Sequence, residues 1–219
     1  MNGGYVAGIL GDAARLHTSS ARLSRPVPIE TPLHLVAEDG WAALRHCDQT
    51  LAETVETTDR VGSTGFVPRD EAVNAGELMI DLGVFADCFV CGRDGEDGLG
   101  IRPKPLADGR FAAVWRPGSS GLIEAPTVPI RYLHSALDCP GGFAAIAASG
   151  KLAVTGSLTS RIDFLPESDR TLIVVAEAVG AEGRTLHAVT TIFTESGEIV
   201  ATAEAIWVTL GAMPIDFAA

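Results

Sequence analysis

Leu137-Asp138-Cys139-Pro140-Gly141-Gly142 lies within a helix candidate, Pro126 to about Ser149, and four strand-like runs follow it without another helix signal. The runs are Leu152 to Phe164, Thr171 to Val179, Thr185 to Thr194 and Ile199 to Leu210, with Ser196-Gly197 as the hairpin turn between the last two. They are rich in Val, Ile, Thr and Ala, which suits a pleated sheet with one covered face. One helix followed by antiparallel strands buries its apolar sheet face only if the sheet wraps around that helix.

Working outward, the same arrangement recurs near the N-terminus. Val6, Ile9, Leu10, Ala13 and Leu16 sit at helical spacing behind Asn2, an expected N-cap, so Gly4 to about His17 reads as a helix. Strand signals follow at Ala21–Val27, broken by Pro26 and Pro28, and at Leu33–Ala37. Trp41–Leu44 and Thr50–Val55 form a hairpin around His46-Cys47-Asp48-Gln49. Residues 57 to 85 change character, with loop-like Thr57-Thr58-Asp59 and Gly62-Ser63-Thr64-Gly65, then Pro68-Arg69-Asp70-Glu71 opening a short helix.

The two halves superimpose in three stretches: Gly3–Asp12 on Pro129–Asp138, Arg25–Leu33 on Asp163–Leu172, and Leu51-Ala52-Glu53-Thr54 on Val200-Ala201-Thr202-Ala203. The expected organisation is a diverged duplication: a trimmed N-terminal unit at 1–57, a linker at 58–85 and a C-terminal unit at 86–219. Paired edge to edge, two such units make one continuous sheet and each loses an exposed edge.

Composition excludes several functions. The 219 residues are 47% hydrophobic and 20% charged, enough apolar material for a core. Sixteen basic residues against 28 acidic ones give a net charge of −12, which repels nucleic acid and anionic membrane surfaces alike. No apolar run reaches the roughly 18 residues of a membrane span. Met1-Asn2-Gly3-Gly4 lacks the basic region of a signal peptide. Four cysteines are too few for a disulfide scaffold, so a reducing, cytoplasmic setting is expected.

The motifs resemble the hotdog-fold thioesterase superfamily. Asn2-Gly3-Gly4 followed by Asp12 resembles that family's His-Gly-Gly…Asp/Glu helix, with Asn2 where the family often has His. Cys88-Phe89-Val90-Cys91-Gly92 with Gly98-Leu99 is similar to its opening segment, and Leu137-Asp138-Cys139-Pro140-Gly141 to a variant of its helix. Val154-Thr155-Gly156-Ser157-Leu158, Leu165-Pro166 and Val200-Ala201-Thr202-Ala203 fit the strands that follow. The resemblance spans 86–210 and, less closely, 2–56. It implies an α+β double hotdog that hydrolyses acyl-CoA or acyl-carrier thioesters. It also implies a site where two units meet, one helix start binding the thioester carbonyl and a carboxylate on the facing helix acting on it.

Physical chemistry supports those residue types. Free amides at a helix start and the helix dipole stabilise an oxyanion, and glycines permit close approach. A carboxylate serves as general base or nucleophile. Asp12 lies eight residues, about 12 Å, along its own helix from Gly4. The productive pair is therefore expected across units: Gly3 and Gly4 as oxyanion donors facing Asp138, with Asn2 positioning. The alternative, Ile130 and Arg131 facing Asp12, lacks the glycines.

Each residue also has a plainer reading. Asp138 could be a structural acceptor, Asp12 a surface acid, and Gly3-Gly4 a pliable terminus. His134 and Asp138 stand at i, i+4 and could hydrogen-bond as an acid/base pair, or simply line a solvated groove. Arg131 could hold an anionic group of the substrate. Arg22, Arg25, Arg102, Lys104 and Arg161 are candidates for the CoA phosphates. His17 is expected to cap the first helix, and Trp41, Trp115 and Trp207 to pack on the sheet. Cys88-x-x-Cys91 lacks a second pair, and His134 and Cys139 would complete a zinc set only by an accident of folding; Cys47 and Cys139 read as buried small residues, and neither a metal nor a redox cofactor is implied.

Two other functions remain open: a non-catalytic acyl-CoA-binding or interaction protein, and a hydratase or dehydratase of acyl thioesters using His134 with Asp138. Monomer and homodimer are both compatible with the sequence.

Overall fold

The structure is a computed structural model that describes residues 1–76, 85–92 and 98–214, without the side chains of 120 and 211–214. Linker positions 77–84 lie outside the described residues.

Helix α1 spans Gly3–Ala13, and the Asn2 side chain caps it by accepting from the Tyr5 amide at 2.8 Å. It stops short of the expected His17. Arg15 takes a left-handed φ of 58°, the Leu16 amide returns to the Gly11 carbonyl at 2.9 Å, and the His17 carbonyl accepts from Ile162. His17 thus serves the sheet rather than the helix end. Strands β1 (Thr18–Leu23), β2 (His34–Glu38), β3 (Trp41–His46) and β4 (Gln49–Glu56) follow, the last two as the expected hairpin. Cys47, expected to be buried, is exposed at the hairpin tip with a φ of 51°.

Past the short helix α2 (Arg69–Val73), β5 (Lys104–Pro105) and β6 (Phe111–Trp115) lead to helix α3 (Ile130–Ser149), then to β7 (Lys151–Ile162), β8 (Leu172–Glu182), β9 (Thr185–Thr194) and β10 (Ile199–Pro214). The ten strands of the described residues form one antiparallel sheet in the order β2-β3-β4-β1-β7-β10-β9-β8-β6-β5. The halves join where β1 pairs with β7, Thr18 opposite Arg161 through Arg22 opposite Ser157. On either side of that seam the order is the same: the strand after the helix is innermost, then the fourth, third and second.

Pro129 offers no side-chain cap to α3, and Pro140 lies inside the helix. Burial fixes α3 instead. Leu133 and Leu137 are fully buried, each contributing roughly 1.5–3 kcal/mol, against about 1 kcal/mol for a cap. Its partners include Leu172 and Val174 of β8 and Ile192 of β9. Gly142 lets the helix lie on β10, since a Cβ there would sit 2.6 Å from the Trp207 ring.

One covered face was expected for the sheet, but β8 is covered on both. Ile173, Val175 and Phe193 pack against Val67 and Ala72 of the linker, so Leu172–Ala176 reads as an unbroken apolar run. The Thr64 amide donates to Thr191 Oγ1 at 2.9 Å and the Gly62 amide to Glu204, fastening the linker to that outer face. Among the described residues no helix is long and apolar enough to cross a membrane.

Candidate active site

Helices α1 and α3 meet backbone to backbone. A Cβ on Gly4 would lie 2.3 Å from the His134 carbonyl oxygen, and one on Gly8 2.4 Å from Arg131 Cα. The room beside Gly4 is therefore filled by α3 and is not left open for a substrate. This approach brings the α1 start onto Asp138.

The Asp138 carboxylate is 1% exposed. Oδ2 accepts from the Gly4 amide at 2.8 Å and from Asn2 Nδ2 at 3.1 Å, while Oδ1 accepts from Thr155 Oγ1 at 2.7 Å. The expected cross-unit pair of Gly4 and Asp138 is thus in direct contact, but the Gly4 amide is spent on the carboxylate. The Tyr5 amide goes to Asn2 Oδ1 and the Val6 amide to the Asn2 carbonyl, which leaves, among the described residues, the amide of cavity-lining Gly3 as the first-turn donor not spent in this way. Burial pushes the Asp138 pKa up to about 6, against the lowering effect of the Thr155, Gly4 and Asn2 bonds.

Thr155 was not singled out from sequence. Its position depends on a register shift: Ser157 pairs with Ile206 and Thr155 with Trp207, leaving Gly156 as the extra residue of a bulge. The one signal in the sequence is a glycine inside a strand pattern.

A cavity of about 690 Å³ opens on this cluster. Asn2, Gly3, Asp138 and Thr155 line its polar side, and Leu23, Phe143, Ile146 and Trp207 are among its apolar walls. Tyr5, Phe89 and Tyr132 form a further wall, with ring centroids 5.5 to 6.2 Å apart. Its volume falls in the range that takes small-molecule ligands.

The remaining candidates lie elsewhere. Asp12 is exposed on the last turn of α1. His134 does not bond Asp138: its Nδ1 pairs with the Ile130 carbonyl at 3.0 Å and its ring packs on Gly11. Burial lowers the His134 pKa. Arg131 stacks on the Tyr132 ring at 4.8 Å. Arg22, Arg25, Arg102, Lys104 and Arg161 are not among the cavity-lining residues; Arg161 pairs with Asp163, and Arg102 donates to the Gly92 carbonyl. Cys139, expected as a buried small residue, is half-buried and brought to the Cys88-x-x-Cys91 turn, with Cys88 and Cys139 sulfurs 3.5 Å apart.

No protein-family model matches the chain, and no curated protein matches it in sequence. Its fold does match solved structures. A tesB protein of Mycobacterium avium subsp. paratuberculosis superposes with a TM-score of 0.62 at 14% identity, covering 96% of this chain and 87% of that one. A candidate thioesterase of Novosphingobium aromaticivorans gives 0.65 at 12% identity, covering 96% and 88%. A candidate thioesterase II of Thermobifida fusca gives 0.60 at 15% identity, covering 97% and 88%. The chain therefore has the fold of these thioesterase-family structures, in keeping with the hotdog thioesterase resemblance of its motifs.

Proposed function

We propose that the protein is a double-hotdog thioester hydrolase acting on acyl-CoA or acyl-carrier thioesters, with units at 1–57 and 86–219 joined by a linker at 58–85. The observation that carries this reading is Asp138, buried at the wall of a 690 Å³ cavity with its oxygens held by Gly4, Asn2 and Thr155. The matching strand order on the two sides of the β1–β7 seam supports the duplication.

In this mechanism the thioester carbonyl lies at the Gly3 amide, where the α1 dipole also favours negative charge. Asp138 takes a proton from water as the water oxygen bonds the acyl carbon. Collapse of the intermediate breaks the carbon–sulfur bond, and the proton held by Asp138 passes to the leaving thiolate, which restores the carboxylate. Thr155 and Asn2 orient the carboxylate, and the apolar walls receive the acyl or aryl group. None of the described lining residues has a basic side chain, and the Met1 ammonium is held by the Val27 carbonyl, so the phosphates of a CoA carrier stay outside the cavity. None of these steps calls for a cofactor.

The test is hydrolysis of an acyl-CoA panel, with released CoA separated by chromatography, for the wild type and Asp138→Asn. Hydrolysis that Asp138→Asn abolishes supports the assignment. Tight acyl-CoA binding without hydrolysis by either protein selects a non-catalytic binder. Hydration of crotonyl-CoA would select a hydratase, against which the orientation of His134 away from Asp138 argues.

A further inference from the structure

Three sulfur atoms converge at one wall of the cavity. Cys88 and Cys91 come from one tight turn and Cys139 from α3, and all three Sγ atoms lie within 4.8 Å of one another. The turn has the spacing Cys-x-x-Cys-Gly, and its geometry needs the glycine. A Cβ on Gly92 would lie 2.3 Å from the Ala86 carbonyl oxygen and 2.6 Å from that of Cys88. The Gly92 amide closes the turn on the Cys88 carbonyl at 2.7 Å, and Arg102 clamps it from outside through the Gly92 carbonyl at 2.8 Å. Val90 anchors it in the core, and the Leu99 and Ile101 amides bond the Phe89 and Val90 carbonyls.

Asn2 Nδ2 also donates to Cys139 Sγ at 3.4 Å. A disulfide would use two of these sulfurs and leave the third without a role. One cation accounts for all three. Zinc–sulfur bonds of about 2.3 Å in a tetrahedron place the sulfurs roughly 3.8 Å apart. The observed separations, from 3.5 Å to within 4.8 Å, bracket that spacing.

We propose that Cys88, Cys91 and Cys139 bind one zinc ion as thiolates, with the fourth coordination position facing the cavity. Binding replaces three sulfur–hydrogen bonds by three sulfur–zinc bonds, releases three protons to water and transfers no electron. Soft sulfur ligands select such an ion over magnesium or calcium. All three cysteines line the cavity, so an exchangeable ligand reaches the fourth position from there.

The test uses the full chain, stripped with a chelator under reducing conditions and titrated with zinc and, separately, with cobalt(II). One equivalent of zinc is expected, with sulfur-to-cobalt charge-transfer absorption for the cobalt form. Cys88→Ser, Cys91→Ser and Cys139→Ser should each weaken zinc binding more than about a hundredfold, beyond the cost of losing an outer-shell partner. Cys47→Ser, at the remote hairpin tip, should bind as the wild type does. If a serine variant fails to fold by circular dichroism, alkylation of the wild type decides. Zinc should protect three of the four thiols. Absence of stoichiometric uptake, uptake indifferent to Cys139→Ser, or a Cys88–Cys139 disulfide in a chain that takes no metal would each overturn the proposal.

Discussion

The two long helices begin alike and end up doing different work. Counted from their caps, Asn2 and Pro129, α1 and α3 align with Asn2 on Pro129, one residue away from the superposition read in the sequence. In that register Asp138 corresponds to Gly11, not Asp12, and His134 corresponds to Ala7. The start of α1 offers a side-chain cap, two glycines and a facing carboxylate. The start of α3 offers Pro129-Ile130-Arg131 and faces Gly8, whose missing Cβ lets Arg131 come close. Where a second carboxylate would stand there is Gly11, with the His134 imidazole packed against it. The lesson is that small residues on α1 let α3 approach closely enough to bring Asp138 onto the α1 start.

The largest effect should separate the two acids. Asp138→Asn keeps the shape of the side chain and lets its amide oxygen accept from Gly4, but it removes the proposed base. Hydrolysis is expected to fall about 10²- to 10⁴-fold. Asp12→Asn, on the exposed end of α1, should leave kcat/KM unchanged. Equal losses in the two variants would mean that the halves are not functionally distinct.

Next in size is the packing of the glycines. Gly8→Ala forces a methyl group to 2.4 Å from Arg131 Cα, so the helices must part, at a cost of about 1–3 kcal/mol. Gly11→Ala meets its nearest atoms at 3.7 to 3.8 Å, an ordinary contact, and alanine favours a helix by about 1 kcal/mol. Urea denaturation should therefore rank Gly11→Ala at or above the wild type and Gly8→Ala well below it. Smaller is the loss at Thr155→Val, which deletes the 2.7 Å bond to Asp138 Oδ1. A bond to a carboxylate is worth roughly 1.5–3 kcal/mol, so kcat should drop tenfold or more. Thr155→Ser should restore most of it, as a merely structural threonine methyl would not.

These contrasts also mark how far the chain could be read before its structure. The start of α1, the β3–β4 hairpin and the joining of two helix-plus-strand halves follow from local periodicity and turn residues, whereas α3 begins at Ile130, four residues after the expected Pro126. The Gly4–Asp138 meeting was implied by the family resemblance, which sets a helix start against a carboxylate of the other unit, with distance excluding Asp12 for its own helix. What escaped was long-range. Thr155 reaches the carboxylate through a bulge set by the register of β10 against β7. Cys139 joins a turn 51 residues upstream. His134 stands one turn from Asp138, yet spacing alone does not say to which side an imidazole swings. The outer cover over β8 came from a linker whose polar loops gave no sign of the buried Val67 and Ala72.

The last contrast is a titration at the end where no second acid stands. His134 is buried and its pKa is lowered from 6.5, chiefly by that burial, with the Ile130 carbonyl and Asp12 opposing. The unfolded chain takes up a proton as pH falls through about 6.5, while the native chain does not. More protons are then bound in the unfolded state, so this residue contributes a stability that is present above about pH 6.5 and lost on acidification. His134→Gln, which cannot titrate, should flatten that part of the profile. Unfolding free energy measured in urea from pH 7.5 down to pH 5.5 should fall more steeply for the wild type than for the variant. Parallel profiles would mean that His134 takes its proton inside the fold, and the packing of its ring on Gly11 would then not be what keeps it neutral.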